Sequence, residues 1–266
     1  MSLNIIVCAK QVMDPETPMS AFNVDEAAKR VVPAQGIPPV VNGFCENAVE
    51  AALKIKEAVG DATITVISVG NDFVMDVMKK PLSMGADQMI LVQDPATETL
   101  DALGTATVLS KAIEKIGEAD IVICGQQASD WDNAHVPLGI AEMLDLPSIS
   151  SARKITVNER TISVQSTQKD GYDIIEADLP ALITTNSEIG EPRYPTLRGI
   201  MQASRKNPQI LTIEQLGLTD EDVAPKIVLS ELFIPKSDGN CEIIQAENEE
   251  DLGPLLAARL RENKII

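Results

Sequence analysis

The stretch that decides the fold runs from Ile121 to Pro147, IVICGQQASDWDNAHVPLGIAEMLDLP. Periodicity alone does not separate the short apolar run Ile121–Cys124 from a buried helix. Its β-branched content and its flanks, Asp120 and Gly125, favour a strand. Gly125 then opens a polar loop with small residues (Ala128, Ser129) and side-chain amides (Gln126, Gln127). A helix is expected from near Asn133, whose side-chain oxygen suits an N-cap because it can accept an orphaned backbone N–H. A helix start presents free N–H groups and roughly half a positive charge, so an anion fits in front of it. Open parallel sheets bind ligands outside the carboxyl ends of their strands. The stretch is therefore a candidate nucleotide-phosphate site, with a plain connecting loop as the competing reading.

Outward from it, the N-terminal half repeats the same unit. Asn4–Ala9, Thr63–Val69 and Met89–Val92 read as buried strands. Helices are expected over Glu46–Val59, Asp72–Met84 and Leu100–Ile116, with Glu50 and Lys54 as a favourable i, i+4 pair on the first. Asp25–Val32 reads as a short strand or turn, and Ala34–Asn42 as loop. Buried strands alternating with amphipathic helices imply crossover connections and a parallel sheet. After Pro147 the pattern changes. Ala152–Val157, Thr161–Thr167 and Tyr172–Ala177 read as antiparallel strands, and Leu182–Thr185 as a return to the parallel sheet. The proline-punctuated run from 191 to 235 is too long for a structureless internal loop, so an arm lying on another subunit is expected. Leu252–Arg261 reads as a short helix. The division expected is an α/β domain over 1–190, with a β extension at 152–185, and a C-terminal arm over 191–266.

Composition narrows the function. The 266 residues carry 22 Lys plus Arg against 40 Asp plus Glu, a formal net charge of −18. Such a chain is a poor match for a nucleic-acid backbone or an anionic membrane, both polyanions. Aromatics make up only 3%, so base-stacking platforms are also missing. No run approaches the roughly 18 apolar residues needed to span a bilayer, and the start reads as a first strand rather than a signal peptide. A cytoplasmic location is the default expectation. Cys8, Cys45, Cys124 and Cys241 are far apart and, with the single His135, give no zinc pattern. Cys8 and Cys124 sit in strand contexts where a buried thiol is the ordinary reading.

Five stretches in order resemble the beta (small) subunit of electron-transfer flavoproteins. They are VCAKQVMDPETP at the start, VVNGFCENAVEAALKIKE (Val40–Glu57), PLSMGADQMILV (Pro81–Val92), the stretch that opens this section, and DGYDIIEADLPALITTNSEIGEPRYPTLRGIMQA (Asp170–Ala203). The last, with its E-P-R-Y-P, is the most specific. Residues 207–266 carry little recognisable motif. The resemblance implies a Rossmann-like, adenine-nucleotide-binding sheet and a larger alpha subunit as partner. It also implies either a structural AMP or, in bifurcating members, an FAD that takes a hydride from NADH. Such an FAD divides the electron pair between ferredoxin and a higher-potential acceptor. GIPPVVN (Gly36–Asn42) looks like the G-V-P-x-I-x-N loop of the bifurcating members, which favours FAD. The acceptor would be a flavoprotein dehydrogenase of acyl-CoA or lactate type. Departures from the family pattern are Trp131, Asn133, His135 and Pro137, where Gly, Thr, Gln and Gly are usual.

Carried over residue by residue, the resemblance places the cofactor on Cys8, Ala9 and Lys10; on Asn42, Gly43, Phe44 and Cys45; and on Val69 and Gly70. From the opening stretch it adds Gly125, Gln126, Gln127, Ala128, Ser129, Asp130, Asp132, Asn133, Ala134, His135 and Val136. Asp130 and Asp132 read equally well as turn residues; carboxylates repel phosphate but accept from ribose hydroxyls. Phe44 reads as core or as a flavin wall, and His135 as a loop hydrogen-bonder or a phosphate contact. Arg193 reads as a solvated loop arginine, or as one holding carboxylates or backbone at a subunit interface. No catalytic side chain is expected, because hydride and one-electron chemistry belongs to the flavin. A non-bifurcating carrier with AMP is the nearest alternative. A universal-stress-type nucleotide-binding homodimer is a distant one.

Overall fold

The computed structural model describes residues 2–236, 239 and 241–266. They fall into two compact units, one ending at Leu232 and one beginning at Phe233. The first unit opens with β1 (Leu3–Cys8). β2 (Gln11–Val12) then pairs antiparallel with β5 (Val40–Val41), and between them β3 (Asn23–Asp25) and β4 (Arg30–Val32) form a hairpin. The main alternation follows: α1 (Gly43–Val59), β6 (Ala62–Gly70), the short helices α2 (Met75–Met78) and α3 (Lys80–Met84), β7 (Gln88–Gln93), α4 (Ala102–Ile116), β8 (Ile121–Gly125) and α5 (Val136–Met143). β9 (Ser148–Asn158), β10 (Thr161–Gln168) and β11 (Gly171–Asp178) build the antiparallel extension, and β12 (Ala181–Thr185) returns to the parallel sheet. α6 (Leu197–Arg205), β13 (Gln209–Leu211) and α7 (Asp220–Val223) complete the unit. The second unit contains α8 (Leu252–Glu262).

The nine-stranded sheet has the order β11-β10-β9-β12-β8-β1-β6-β7-β13. Its centre reads as continuous apolar sequence because both faces are covered. One face packs Ile5, Val7, Ile64 and Ile123 against Ala48, Val49 and Ala52 of α1. The other packs Ile6, Ile67 and Val122 against Val108, Leu109 and Ala112 of α4 and Ile140 of α5. This is the α/β, mostly parallel architecture expected, with the antiparallel strands where the sequence puts them.

Three expectations change. The helix expected over Asp72–Met84 is two short ones that meet at Lys79. Pro81, without an N–H, fits a first helical turn but not a helix interior. The helix expected from Leu100 begins at Ala102, where Asp101 accepts the Gly104 N–H at 2.8 Å. The segment from 191, expected to lie outside the α/β domain, adds α6 and an edge strand to the first unit, whose boundary falls at Leu232. Isolated apolar residues (Ala203, Leu211, Ile213, Leu218, Val223) bury themselves there without any regular period. No helix among the described residues is long and apolar enough to cross a membrane.

Candidate functional site

From β1 the chain proceeds to β6 and β7 on one side, then returns through β8 on the other, so the strand order reverses between β1 and β8. Loops leaving the carboxyl ends of such a pair diverge and open a crevice. Cys8, Ala9 and Lys10 lie at the end of β1, and Gly125 to Val136 run from the end of β8 to the start of α5. α1 starts against the end of β8. A Cβ added to Gly125 would lie 2.7 Å from the backbone carbon of Phe44 and 2.9 Å from the Cys45 nitrogen. Only glycine permits that approach, and it brings the free N–H groups of the α1 start to the crevice.

Asn42 ties these pieces together. It is fully buried and precedes α1, yet its side chain does not cap that helix. Its Nδ2 donates to the Gln127 carbonyl at 2.8 Å and to Cys45 Sγ at 3.2 Å, and its Oδ1 accepts the Ser129 N–H at 3.2 Å. Its own backbone N–H donates to the Lys10 carbonyl at 2.9 Å. One side chain and its peptide thus hold the β1 loop, the β8 loop and the α1 start in fixed relation. Gln126 is fastened to β12: its N–H donates to the Thr185 carbonyl at 2.8 Å. Its Oε1 accepts from Ser151 Oγ and Asn186 Nδ2, each at 3.2 Å. Thr185, Asn186 and Ser151 escaped the sequence reading; the polar Thr-Asn that follows the apolar LIT of β12 was the available signal.

The expected N-cap at Asn133 is corrected. α5 begins three residues later, at Val136, with His135 before it and no side-chain cap. The backbone explains the delay, because Asp132 (φ 50°) and Ala134 (φ 54°) are left-handed, which a right-handed helix excludes. A left-handed Ala134 followed by a right-handed His135 (φ −89°, ψ −36°) turns successive N–H groups toward one concavity, a geometry suited to anions. Asp132 is engaged by Gln127, whose Nε2 donates to it at 2.8 Å. Asn133 and His135 are exposed, as is Trp131.

Lys10 is the sole lysine or arginine among the twenty candidate residues, and its Nζ lies 2.6 Å from Asp130 Oδ2. Val69 and Gly70 end β6, on the other side of β1. Gly70 lies against the Phe73 ring, which an added Cβ would approach to 3.1 Å. Phe44 is half-buried at the α1 start. Cys8, Cys45 and Cys124 are buried free thiols. The neighbouring Cys8 thiol and burial push Cys124 well up, and burial pushes Cys45 up, so both stay protonated and pack rather than react.

Further along α1, Asn47, Glu50, Lys54 and Glu57 hold the segment that follows β12. Asn47 Nδ2 donates to the Gly190 carbonyl at 3.1 Å and Lys54 Nζ to the Ile189 carbonyl at 2.7 Å. Arg193 grips Glu50 with Nε (2.8 Å) and Nη2 (3.0 Å), adds its backbone N–H at 3.1 Å, and reaches Glu57 with Nη1 at 2.5 Å. Glu50 and Lys54, expected to pair with each other, thus spend their hydrogen bonds on this segment. Burial alone would raise the Glu50 carboxyl, but the Arg193 guanidinium and N–H outweigh it and hold the group below the ordinary carboxylate range. Arg193 therefore holds carboxylates, and both belong to its own chain. Just beyond it, Tyr194 is 92% and Leu197 83% exposed.

Fold and crevice together define an open α/β protein with a crevice at the strand-order reversal between β1 and β8, the place where sheets of this kind bind ligands. The electron transfer flavoprotein domain matches residues 30–216. The electron transfer flavoprotein subunit beta of Megasphaera elsdenii is 35% identical over 275 aligned residues, covering 99% of this chain and 100% of the relative. That of Thermoanaerobacterium thermosaccharolyticum is 39% identical over 84% of each chain. The caffeyl-CoA reductase-Etf complex subunit CarD of Acetobacterium woodii is 32% identical over 99% of this chain and 100% of its own. The chain belongs to the electron transfer flavoprotein family, as a beta subunit, and its role is in electron transfer alongside an alpha subunit.

Proposed function

We propose that this beta subunit carries an FAD at the β1/β8 crevice and, with its alpha partner, bifurcates electrons from NADH between ferredoxin and a flavoprotein dehydrogenase. The supporting observation is the position of the Gly36–Asn42 loop. Its last residue, Asn42, is the one that fastens both crevice loops to the α1 start. The residues present suit a dinucleotide's phosphates. Backbone N–H groups at the α1 start and at Ala134–Val136 suit anions, and Lys10, the sole lysine or arginine among the candidate residues, follows the end of β1. The flavin, when bound, supplies hydride and single-electron transfer. The chain's own part is to hold the phosphates, orient the cofactor and shield it with the loops that Asn42 and Gln126 fix.

The dehydrogenase is of the acyl-CoA class in this reading, since a relative aligned over nearly its whole length is named for a caffeyl-CoA reductase complex; a lactate-type enzyme is the alternative. Its contact is assigned to the exposed apolar side chains beyond Arg193 (Tyr194, Leu197, Ile200, Met201). The alpha contact is assigned to the second unit, whose α8 exposes Leu252, Leu255 and Leu256. The test is anaerobic: heterodimer, NADH, ferredoxin and the dehydrogenase with its oxidised substrate. Ferredoxin reduction that requires that substrate supports bifurcation. NADH consumption that never reduces ferredoxin, or none at all, leaves the plain carrier with AMP.

A further inference from the structure

We propose that Asp130 is a built-in competitor for the cofactor's phosphates, a carboxylate that sits on the crevice's one lysine and keeps nucleotide binding weaker and more exchangeable than the scaffold allows. The inference rests on the reading of the crevice as a nucleotide site.

Lys10 Nζ and Asp130 Oδ2 are 2.6 Å apart, and this pair is the only side-chain hydrogen bond either makes among the described residues. Both side chains are partly exposed, at 44% and 27%, so the pair opens into water at small cost. Asp130 is also delivered to that place. Its neighbour Ser129 is fastened by Asn42 through the backbone, and the chain then turns left-handed at Asp132. The other acid of the loop is not a rival for Lys10, because Asp132 receives the Gln127 amide. His135, the only histidine, is exposed at the α5 start. Lys10 therefore has one anionic partner among the described residues, and a ligand phosphate that takes Lys10 must displace it. The displaced carboxylate stays close and repels the incoming phosphate, so the competition acts twice on affinity. A carboxylate that instead held the ligand, through a ribose hydroxyl, would act in the opposite direction.

The experiment titrates the nucleotide-depleted alpha–beta heterodimer with ADP, the adenosine diphosphate half of FAD, by calorimetry. It compares wild type, Asp130→Asn, Lys10→Gln and the double variant. A half-exposed ion pair of this kind sets the scale at about two- to fivefold. Asp130→Asn is expected to tighten ADP by that factor, Lys10→Gln to weaken it, and the gain from Asp130→Asn to shrink in the Lys10→Gln background, where only the direct repulsion remains to be removed. An Asp130→Asn variant that binds more weakly than wild type, equally with or without Lys10, overturns the proposal and makes Asp130 a ligand-holding residue. An unchanged affinity in Asp130→Asn also overturns it. If wild type and all variants fail to bind ADP, the nucleotide reading itself falls, an outcome separable from the first two.

Discussion

Two irregular segments are pinned to the same helix, and they are pinned differently. The β8 loop, Gln126–His135, is held at the start of α1 by neutral groups: the Asn42 amide, backbone carbonyls and N–H groups. The segment after β12, Ile189–Arg193, is held along the side of α1 chiefly by charge, with Arg193 between Glu50 and Glu57 and Lys54 on a carbonyl. The neutral anchorage does not draw on Lys10, whose partner is Asp130, and does not depend on pH over the physiological range. The charged clasp fixes an exposed surface rigidly but is sensitive to acid. Helix α1 thus holds a crevice loop at one end and an exposed strap on its flank, which the proposed function makes the cofactor position and a partner-facing surface.

The largest expected effect breaks the clasp. Arg193→Gln leaves Glu50 buried without its cation, which costs about 3 kcal/mol at pH 7 by urea unfolding of the heterodimer. A cost below 1 kcal/mol would mean the clasp is a surface decoration. Acid sharpens the same comparison. The folded-state carboxyls of Glu50 and Glu57 are depressed, so their contribution is present above the ordinary carboxylate pKa and is lost as pH falls through the depressed values. In Arg193→Gln that depression disappears, and burial favours the neutral acid. The stability gap between wild type and variant is therefore expected to close as pH drops below about 4.

Next in size is Asn42→Ala, which orphans the Gln127 carbonyl and the Ser129 N–H at the crevice and costs about 2 kcal/mol. Unlike the clasp variant, its deficit is expected to be the same at pH 5 and pH 8, with loss of bound nucleotide. A pH-dependent deficit would contradict the neutral character of this anchorage. The smallest effect has the opposite sign. Ala134→Gly relieves a left-handed alanine and is expected to raise stability by about 0.5 kcal/mol in thermal unfolding, net of the extra freedom of the unfolded chain. A loss of stability there would show that the loop's conformation is not strained by its side chain.

The same contrast separates what was legible in the sequence from what was not. The parallel strands were legible because burial on both faces writes them as uninterrupted apolar runs, as in NIIVC and TITVISV. Most candidate residues fall at the β1/β8 reversal because strand ends and helix starts carry their own punctuation, Gly125 and Asn42 among them. The start of α5 was missed by three residues since nothing in Asp132 or Ala134 announces a left-handed backbone; glycine would have. α6 and β13 were missed because a three-residue edge strand and scattered buried residues carry no period. Glu50 and Lys54 were paired locally because sequence spacing exposes i, i+4 neighbours, whereas partners some 140 positions away, Arg193 and Ile189, leave no local trace.

The most direct measurement is the nucleotide content of the co-purified alpha–beta heterodimer, released by denaturation and separated chromatographically. A bifurcating beta subunit gives two FAD and no AMP per heterodimer. One FAD with one AMP would contradict it and leave an ordinary electron carrier on the same scaffold.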